Sequence, residues 1–172
     1  MSKPTGWGSV MVATRLEKMV ECEFFVDWTR LIASGLRPGD RYVISSGKTA
    51  HMGANGLIQE FLKSECDSML FIDSDAGFTT DSLSLLRDFE EGWEYDILQA
   101  FYTRRGWPPE AIWFKHDENG SLRRCLVLDD TTEEVAFVGF HFTLVSREIL
   151  LKMLGDEEIE NKYWVYYPRG PE

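Results

Sequence analysis

Apolar and polar positions follow two periods along this chain. Val10 to Thr14 is an apolar run of strand length, and Phe24, Phe25, Trp28, Leu31 and Ile32 then recur as one stripe of a helix. Gly35 and Pro38-Gly39 end that helix. Arg41 to Ser45 predicts a second strand, Ser45 to Gly56 a glycine-bearing loop, and Leu57, Ile58, Phe61 and Leu62 a second amphipathic helix. A third strand covers Met69 to Ile72. Thr80 then predicts an N-cap for a helix with Leu83, Leu86 and Phe89 inward, and Tyr95 to Phe101 a fourth strand. The order β-α-β-α-β-α-β predicts a doubly wound, mostly parallel α/β sheet.

The pattern changes after Tyr102. Trp107-Pro108-Pro109 predicts a rigid loop, and Ala111 to Lys115 with Leu122 to Leu128 predict short strands about the turn Glu118-Asn-Gly120. Val135 to Val138 and Phe142 to Val145 flank Gly139, and Ser146 predicts the cap of a last helix bearing Ile149, Leu150, Met153 and Leu154. This second half supplies a small antiparallel part. Neither repeats nor a linker divide the chain, so residues 1–172 read as one domain.

The third strand carries the chemistry. In Met69-Leu-Phe-Ile-Asp-Ser-Asp75 four apolar residues run into two aspartates one residue apart. An unbroken apolar run is a strand covered on both faces, and the carboxyl ends of such strands are where open α/β sheets bind ligands. If the extended backbone continues, Asp73 and Asp75 point the same way. Two carboxylates there suit a hard divalent cation carrying phosphates. The plain alternative is a strand-ending turn capped by aspartate.

Composition narrows the partners. The chain has 172 residues, 44% hydrophobic and 27% charged, with a formal net charge of −11. That average field repels nucleic acid but leaves room for a small phosphorylated ligand held by a cation or by arginines. Tyr102-Thr-Arg-Arg105 places Arg104 and Arg105 at the end of the fourth strand, next to the strand of the aspartates in the usual strand order, where they would grip phosphate bidentately or lie on a solvated loop. Trp107 and Trp113 would stack on a ligand or fill the core. His141 would be a metal or acceptor ligand, or a satisfied core histidine. No run approaches the ~18 apolar residues of a membrane helix, and Met1 to Gly8 does not read as a signal peptide. Cys22, Cys66 and Cys125 have neither pairing nor metal spacing, so a cytoplasmic location is expected.

The chain resembles the glycosyltransferases of the GT-A fold, similar to the family-2-like enzymes of bacteria and phages. Four places carry the resemblance, which spans roughly Val10 to Met153: Val12-Ala-Thr-Arg15, Gly53-Ala-Asn55, Leu70-Phe-Ile-Asp-Ser-Asp75, and Val138-Gly-Phe-His-Phe142 with Leu144-Val-Ser-Arg-Glu148. It implies a GT-A-like sheet with a nucleotide-binding half over 1–105 and an acceptor-side half over 106–172, and a nucleotide-sugar donor, a UDP- or GDP-sugar, bound through Mn²⁺ or Mg²⁺. The acceptor would be a hydroxyl of a glycan, lipid or protein. Asp75 would ligate the metal, with Asp73 on the metal or ribose and Ser74 between them contacting the nucleotide-sugar. Thr14 and Arg15 would hold base and ribose. Asn55 would sit near a helix start that favours anions, or simply cap it.

The sequence also departs from that family. Ala54 stands where the family often has arginine. The usual acidic pair holding the catalytic base and the later metal-binding histidine have no clear counterpart, so the expectation is a chain lacking the usual C-terminal segment. Asp156 and Glu157, in Asp156-Glu-Glu158, are the weak candidates for the catalytic base. Two other functions compete. One is a nucleotide-sugar-binding relic without catalysis. The other is a phosphatase of the haloacid dehalogenase type, with Asp73 or Asp75 as nucleophile, Asp129-Asp130 as second acidic pair and Lys115 as its lysine.

Overall fold

The computed structural model describes residues 6–16, 19–100, 103–104, 110–111, 113–124, 135, 137–138 and 141–154. Strand β1 (Val10–Leu16) leads to helix α1 (Cys22–Arg30), which widens into a π-type turn over Leu31–Gly35. Strand β2 (Arg41–Ser46), helix α2 (Ala50–Lys63), strand β3 (Ser68–Asp73) and helix α3 (Ser82–Asp88) follow. After a 3₁₀ turn over Glu90–Glu94 come strands β4 (Ile97–Gln99), β5 (Thr103–Arg104), β6 (Glu110–Ala111), β7 (Trp113–His116), β8 (Leu122–Arg124), β9 (Phe137–Val138) and β10 (Phe142–Ser146), then helix α4 (Arg147–Leu154).

The main sheet has the order β2-β1-β3-β10-β4. β1 pairs in parallel with β2 and β3, whereas β10 is antiparallel to both β3 and β4. Four of the five strands therefore run the same way, and the mixed, mostly parallel α/β class is correct. The expected neighbourhood of the fourth strand is not. β10 lies between β3 and β4, so the strand carrying the aspartates is not beside β4. β10 carries Phe142, Thr143, Leu144 and Val145, all buried. A run covered on both faces belongs inside a sheet rather than at its rim.

Alternation along β1 and β3 sorts the core into two layers. Val10, Val12, Leu70, Ile72, Phe142 and Leu144 pack with Phe24, Leu31 and Leu83 on the α1/α3 side. Met11, Ala13, Met69, Phe71 and Val145 pack with Leu57, Phe61 and Leu150 on the α2/α4 side. Full burial of a Leu, Ile or Phe side chain is worth roughly 1.5–3 kcal/mol, so these layers fix β1 and β3 firmly beneath the site.

Several predicted boundaries shift. α2 begins at Ala50, with Thr49 at its N-cap, so most of the expected loop up to Gly56 is helical. The helix tolerates Gly53 because that position faces Arg15, where a Cβ would meet the Arg15 stem at 3.0 and 3.1 Å. α3 is capped at Asp81 rather than Thr80. Thr79 explains the shift: its backbone N–H donates to Ser82 Oγ at 2.9 Å, closing the turn one residue later.

The small strands form ladders of their own. β5 pairs with β6, and β7 pairs with β8 and β9. The expected hairpin turn holds, with Gly120 at φ 76°. Ser146 caps α4 as expected, its Oγ accepting from Ile149 N at 3.2 Å. Among the described residues, no helix is long and apolar enough to cross a membrane.

Candidate metal centre

The site is one row of residues across the sheet. Register places Arg15 of β1 beside Ser45 of β2 on one side and Asp73 of β3 on the other. The β3–β10 ladder continues one step beyond Phe142↔Ile72, because Asp73 N donates to the His141 carbonyl at 3.0 Å. Directly opposed residues on paired strands share a face, so Arg15, Asp73 and His141 all project toward the α2 layer at the carboxyl ends of β1 and β3.

Asp75 joins them by a different route from the one expected. β3 ends at Asp73, and the backbone turns over Ser74 and Asp75 as Ala76 N donates to the Asp73 carbonyl at 3.0 Å. The alternation argument for Asp73 and Asp75 therefore fails, but the turn still brings the two carboxylates together. One ligand atom each of Asp73, Asp75 and His141 lies within 4.8 Å of the others.

Burial grades across the cluster. The His141 side chain is 7% exposed, Asp73 23% and Asp75 46%, so the site is rigid on its β10 side and opens past Asp75. His141 Nδ1 stands 3.6 Å from Asp75 Oδ1, too long for a hydrogen bond. Arg15 closes the opposite side. Its Nε donates to Asp73 Oδ1 at 3.0 Å and its Nη2 lies 2.8 Å from the same oxygen.

The donor set suits a divalent cation. Ligand atoms around one small ion sit about 3 Å apart when each bond is about 2.1 Å, so three donors within 4.8 Å need only a modest contraction. Two carboxylates and an imidazole form a mixed hard and borderline set, the carboxylates suiting Mg²⁺, Ca²⁺ or Mn²⁺ and the imidazole suiting transition metals. His141, an uncertain candidate from sequence, is the third member of this set. No sequence signal marks it: the register of β10 with β3, which the fold alone sets, carries residue 141 to Asp73.

No family model and no curated protein matches the chain.

The other sequence candidates fall in different places. Thr14 and Arg15 are neighbours on a strand and so point to opposite faces. Thr14 is fully buried on the α1 side, where its Oγ1 accepts from Trp28 Nε1 at 2.9 Å, so its side chain and that of Arg15 lie on opposite faces of the sheet. Ser74 is buried within the turn between the aspartates. Asn55 is the sixth residue of α2, half-buried and past the first turn, so the helix-start argument for it fails. Arg104 lies on β5, paired with β6 rather than continuing a strand beside β3. Trp113 lies on β7, within the separate ladder. Arg105, Trp107, Asp129, Asp130, Asp156 and Glu157 lie outside the described residues. Lys115, the lysine of the phosphatase alternative, is on β7 in that same ladder.

Proposed function

We propose that this protein is a metal-dependent glycosyltransferase that takes a nucleotide-sugar donor, with Asp73, Asp75 and His141 holding the cation. The observation that carries the reading is the convergence of these three donors at the carboxyl end of a central strand. That edge of an α/β sheet is where ligands bind, and its mixed donor set fits a cation that also binds phosphate oxygens. The chemistry such an ion supplies is charge neutralisation on the departing diphosphate.

The chain's own residues do the rest. Asp75, the most exposed of the three, meets the cation from the open side. His141 and Asp73, fixed by the β3–β10 ladder, orient it from below. Arg15 supplies a planar cation beside the same carboxylate, suited to a phosphate or ribose oxygen. The position of β3 weakens the phosphatase alternative. Two βα units precede it, and Arg15 already neutralises the carboxylate that would act as nucleophile or acid.

A panel of UDP- and GDP-sugars incubated with Mn²⁺, read as release of nucleoside diphosphate, tests the proposal. The expected result is Mn²⁺-dependent release that is lost in Asp75→Ala. Mn²⁺-dependent binding without release reduces the protein to a nucleotide-sugar binder. Turnover of a simple phosphate ester, abolished by Asp73→Asn, replaces the proposal with the phosphatase.

A further inference from the structure

We propose that Arg15 is the resident counter-ion of Asp73, seated there by Gly53, and that Arg15 and a divalent cation compete for Asp73 until a phosphate group gives Arg15 another partner. This rests on the metal-site reading above and specifies how that site is regulated.

Three observations converge on it. Both described Arg15–Asp73 contacts fall on a single oxygen, Oδ1, at 2.8 and 3.0 Å, with Arg15 only 14% exposed. Asp73 is one of the three residues whose ligand atoms cluster within 4.8 Å. A guanidinium so close to Asp73 repels an arriving divalent ion and reduces the carboxylate's negative charge. Screening is limited because the arginine is largely buried.

The third observation concerns how Arg15 gets there. Its stem runs along α2 at Gly53, and a Cβ at that position would lie 3.0 Å from Arg15 Cδ and 3.1 Å from Cγ. Gly53 donates a normal helical hydrogen bond to the Thr49 carbonyl at 2.8 Å, so its backbone does not require glycine. In the interior of a helix, glycine costs roughly 0.5–1 kcal/mol relative to alanine. The close approach of the Arg15 stem gives a reason for accepting that cost. Gly53 is thus a positioning residue for the Arg15–Asp73 contact.

A guanidinium exchanges carboxylate for phosphate readily, because both offer paired oxygens to the same planar fork. A nucleoside diphosphate at the open side of the site therefore draws Arg15 from Asp73 and exposes that carboxylate to the cation. Metal and nucleotide then bind cooperatively, each favouring the other by the same factor. The site is guarded against metal alone and opens to the metal–diphosphate pair.

Substituting alanine for Gly53 separates this from a general effect of removing charge. The new methyl meets the Arg15 stem, which must give by a few tenths of an ångström. Gly53→Ala therefore keeps Arg15 in the chain and disturbs its seat beside Asp73.

Titration of Mn²⁺ by the paramagnetic resonance of free ion, with and without UDP or GDP, tests the proposal on the full chain. Arg15→Gln is expected to bind Mn²⁺ alone about tenfold more tightly than the parent, matching the loss of one charge-assisted contact. Gly53→Ala is expected to shift in the same direction. In both variants the gain in Mn²⁺ affinity on adding nucleotide shrinks. Parent-like Mn²⁺ affinity in both variants, while Asp75→Ala abolishes binding, overturns the competition and leaves the metal site standing. Absence of Mn²⁺ binding in the parent with either nucleotide overturns both.

Discussion

Asp73 and His141 face each other across the β3–β10 ladder, tied by the hydrogen bond from Asp73 N to the His141 carbonyl at 3.0 Å. Sheet register rather than loop packing therefore sets the spacing between two candidate ligands that are distant in sequence. A site built on strand ends is held more precisely than one built on loops.

His141 should consequently select the metal. His141→Ala is expected to weaken Mn²⁺ binding about ten- to a hundredfold, a loss that even a supporting group around a metal can produce. Mg²⁺ binding, which depends less on imidazole, should change less. Competition between Mn²⁺ and Mg²⁺ in parent and variant measures this. An unchanged preference removes His141 from the ligand set.

Much of this arrangement was legible in the chain. The apolar runs of β1 and β3, the helix stripes through Phe24 and Leu57, and the aspartates ending β3 follow from period and side-chain chemistry. The path of β10 was not legible, because Phe142 to Ser146 has the same apolar character whichever neighbour it pairs with; only the fold decides that β10 enters between β3 and β4. The start of α2 was hidden by Gly53 and Gly56, which lower helix propensity, although the stem of Arg15 lies close against the first of them. The split between Thr14 and Arg15 was implicit in strand alternation. The convergence of Asp73 and Asp75 rests on a turn that alternation could not supply.

The start of β1 is anchored by a buried ion pair. Asp40 Oδ2 accepts from Arg87 Nη2 at 2.6 Å and from Arg37 N at 2.7 Å, while its Oδ1 accepts from Val10 N at 2.8 Å. The two charged side chains are 1% and 5% exposed. Removing one partner strands the other charge, at a cost of about 3–5 kcal/mol. With roughly 2–4 °C per kcal/mol for a domain of this size, Asp40→Ala should lower the thermal midpoint by about 10 °C. A change within about 2 °C in a melting scan contradicts this assignment.

Arg147 plays the corresponding role between α2 and β3. Its guanidinium donates to the carbonyls of Cys66 at 2.7 Å, Ser64 at 2.8 Å, Phe61 at 3.0 Å and Leu62 at 3.2 Å. It also lies 4.5 Å from the centre of the Phe61 ring. A planar fork is needed to reach so many acceptors, and lysine lacks one. Arg147→Lys and Arg147→Ala should both destabilise the protein, the alanine variant by about 2 kcal/mol or more. Hydrogen exchange over residues 61–68 should rise first. Uniform exchange with no local increase there contradicts the account.

The β7–β8 hairpin should respond to acid. The Ser121 backbone N–H holds the Asp117 carboxyl below its ordinary value of 3.8, outweighing desolvation, with Asn119 N–H, the Arg123 guanidinium and nearby His116 adding to the effect. A carboxyl whose pKa falls on folding contributes stability in full above its unfolded value. That contribution is lost as the pH drops below 3.8 and through the lower folded value. Amide resonances of Asn119 and Ser121 should shift in that window, and the response should vanish in Asp117→Asn. Resonances unchanged through the window in the parent contradict it.

The central claim is that Asp73, Asp75 and His141 form a cation site through which a nucleotide diphosphate binds. Calorimetric titration of UDP and GDP into the protein, with and without Mn²⁺, tests it most directly, with Asp75→Ala as the paired variant. The account predicts binding of at least one nucleotide that depends on Mn²⁺ and disappears in Asp75→Ala. Binding of equal strength without metal, binding unaffected by Asp75→Ala, or no binding of either nucleotide in the presence of Mn²⁺ would contradict it.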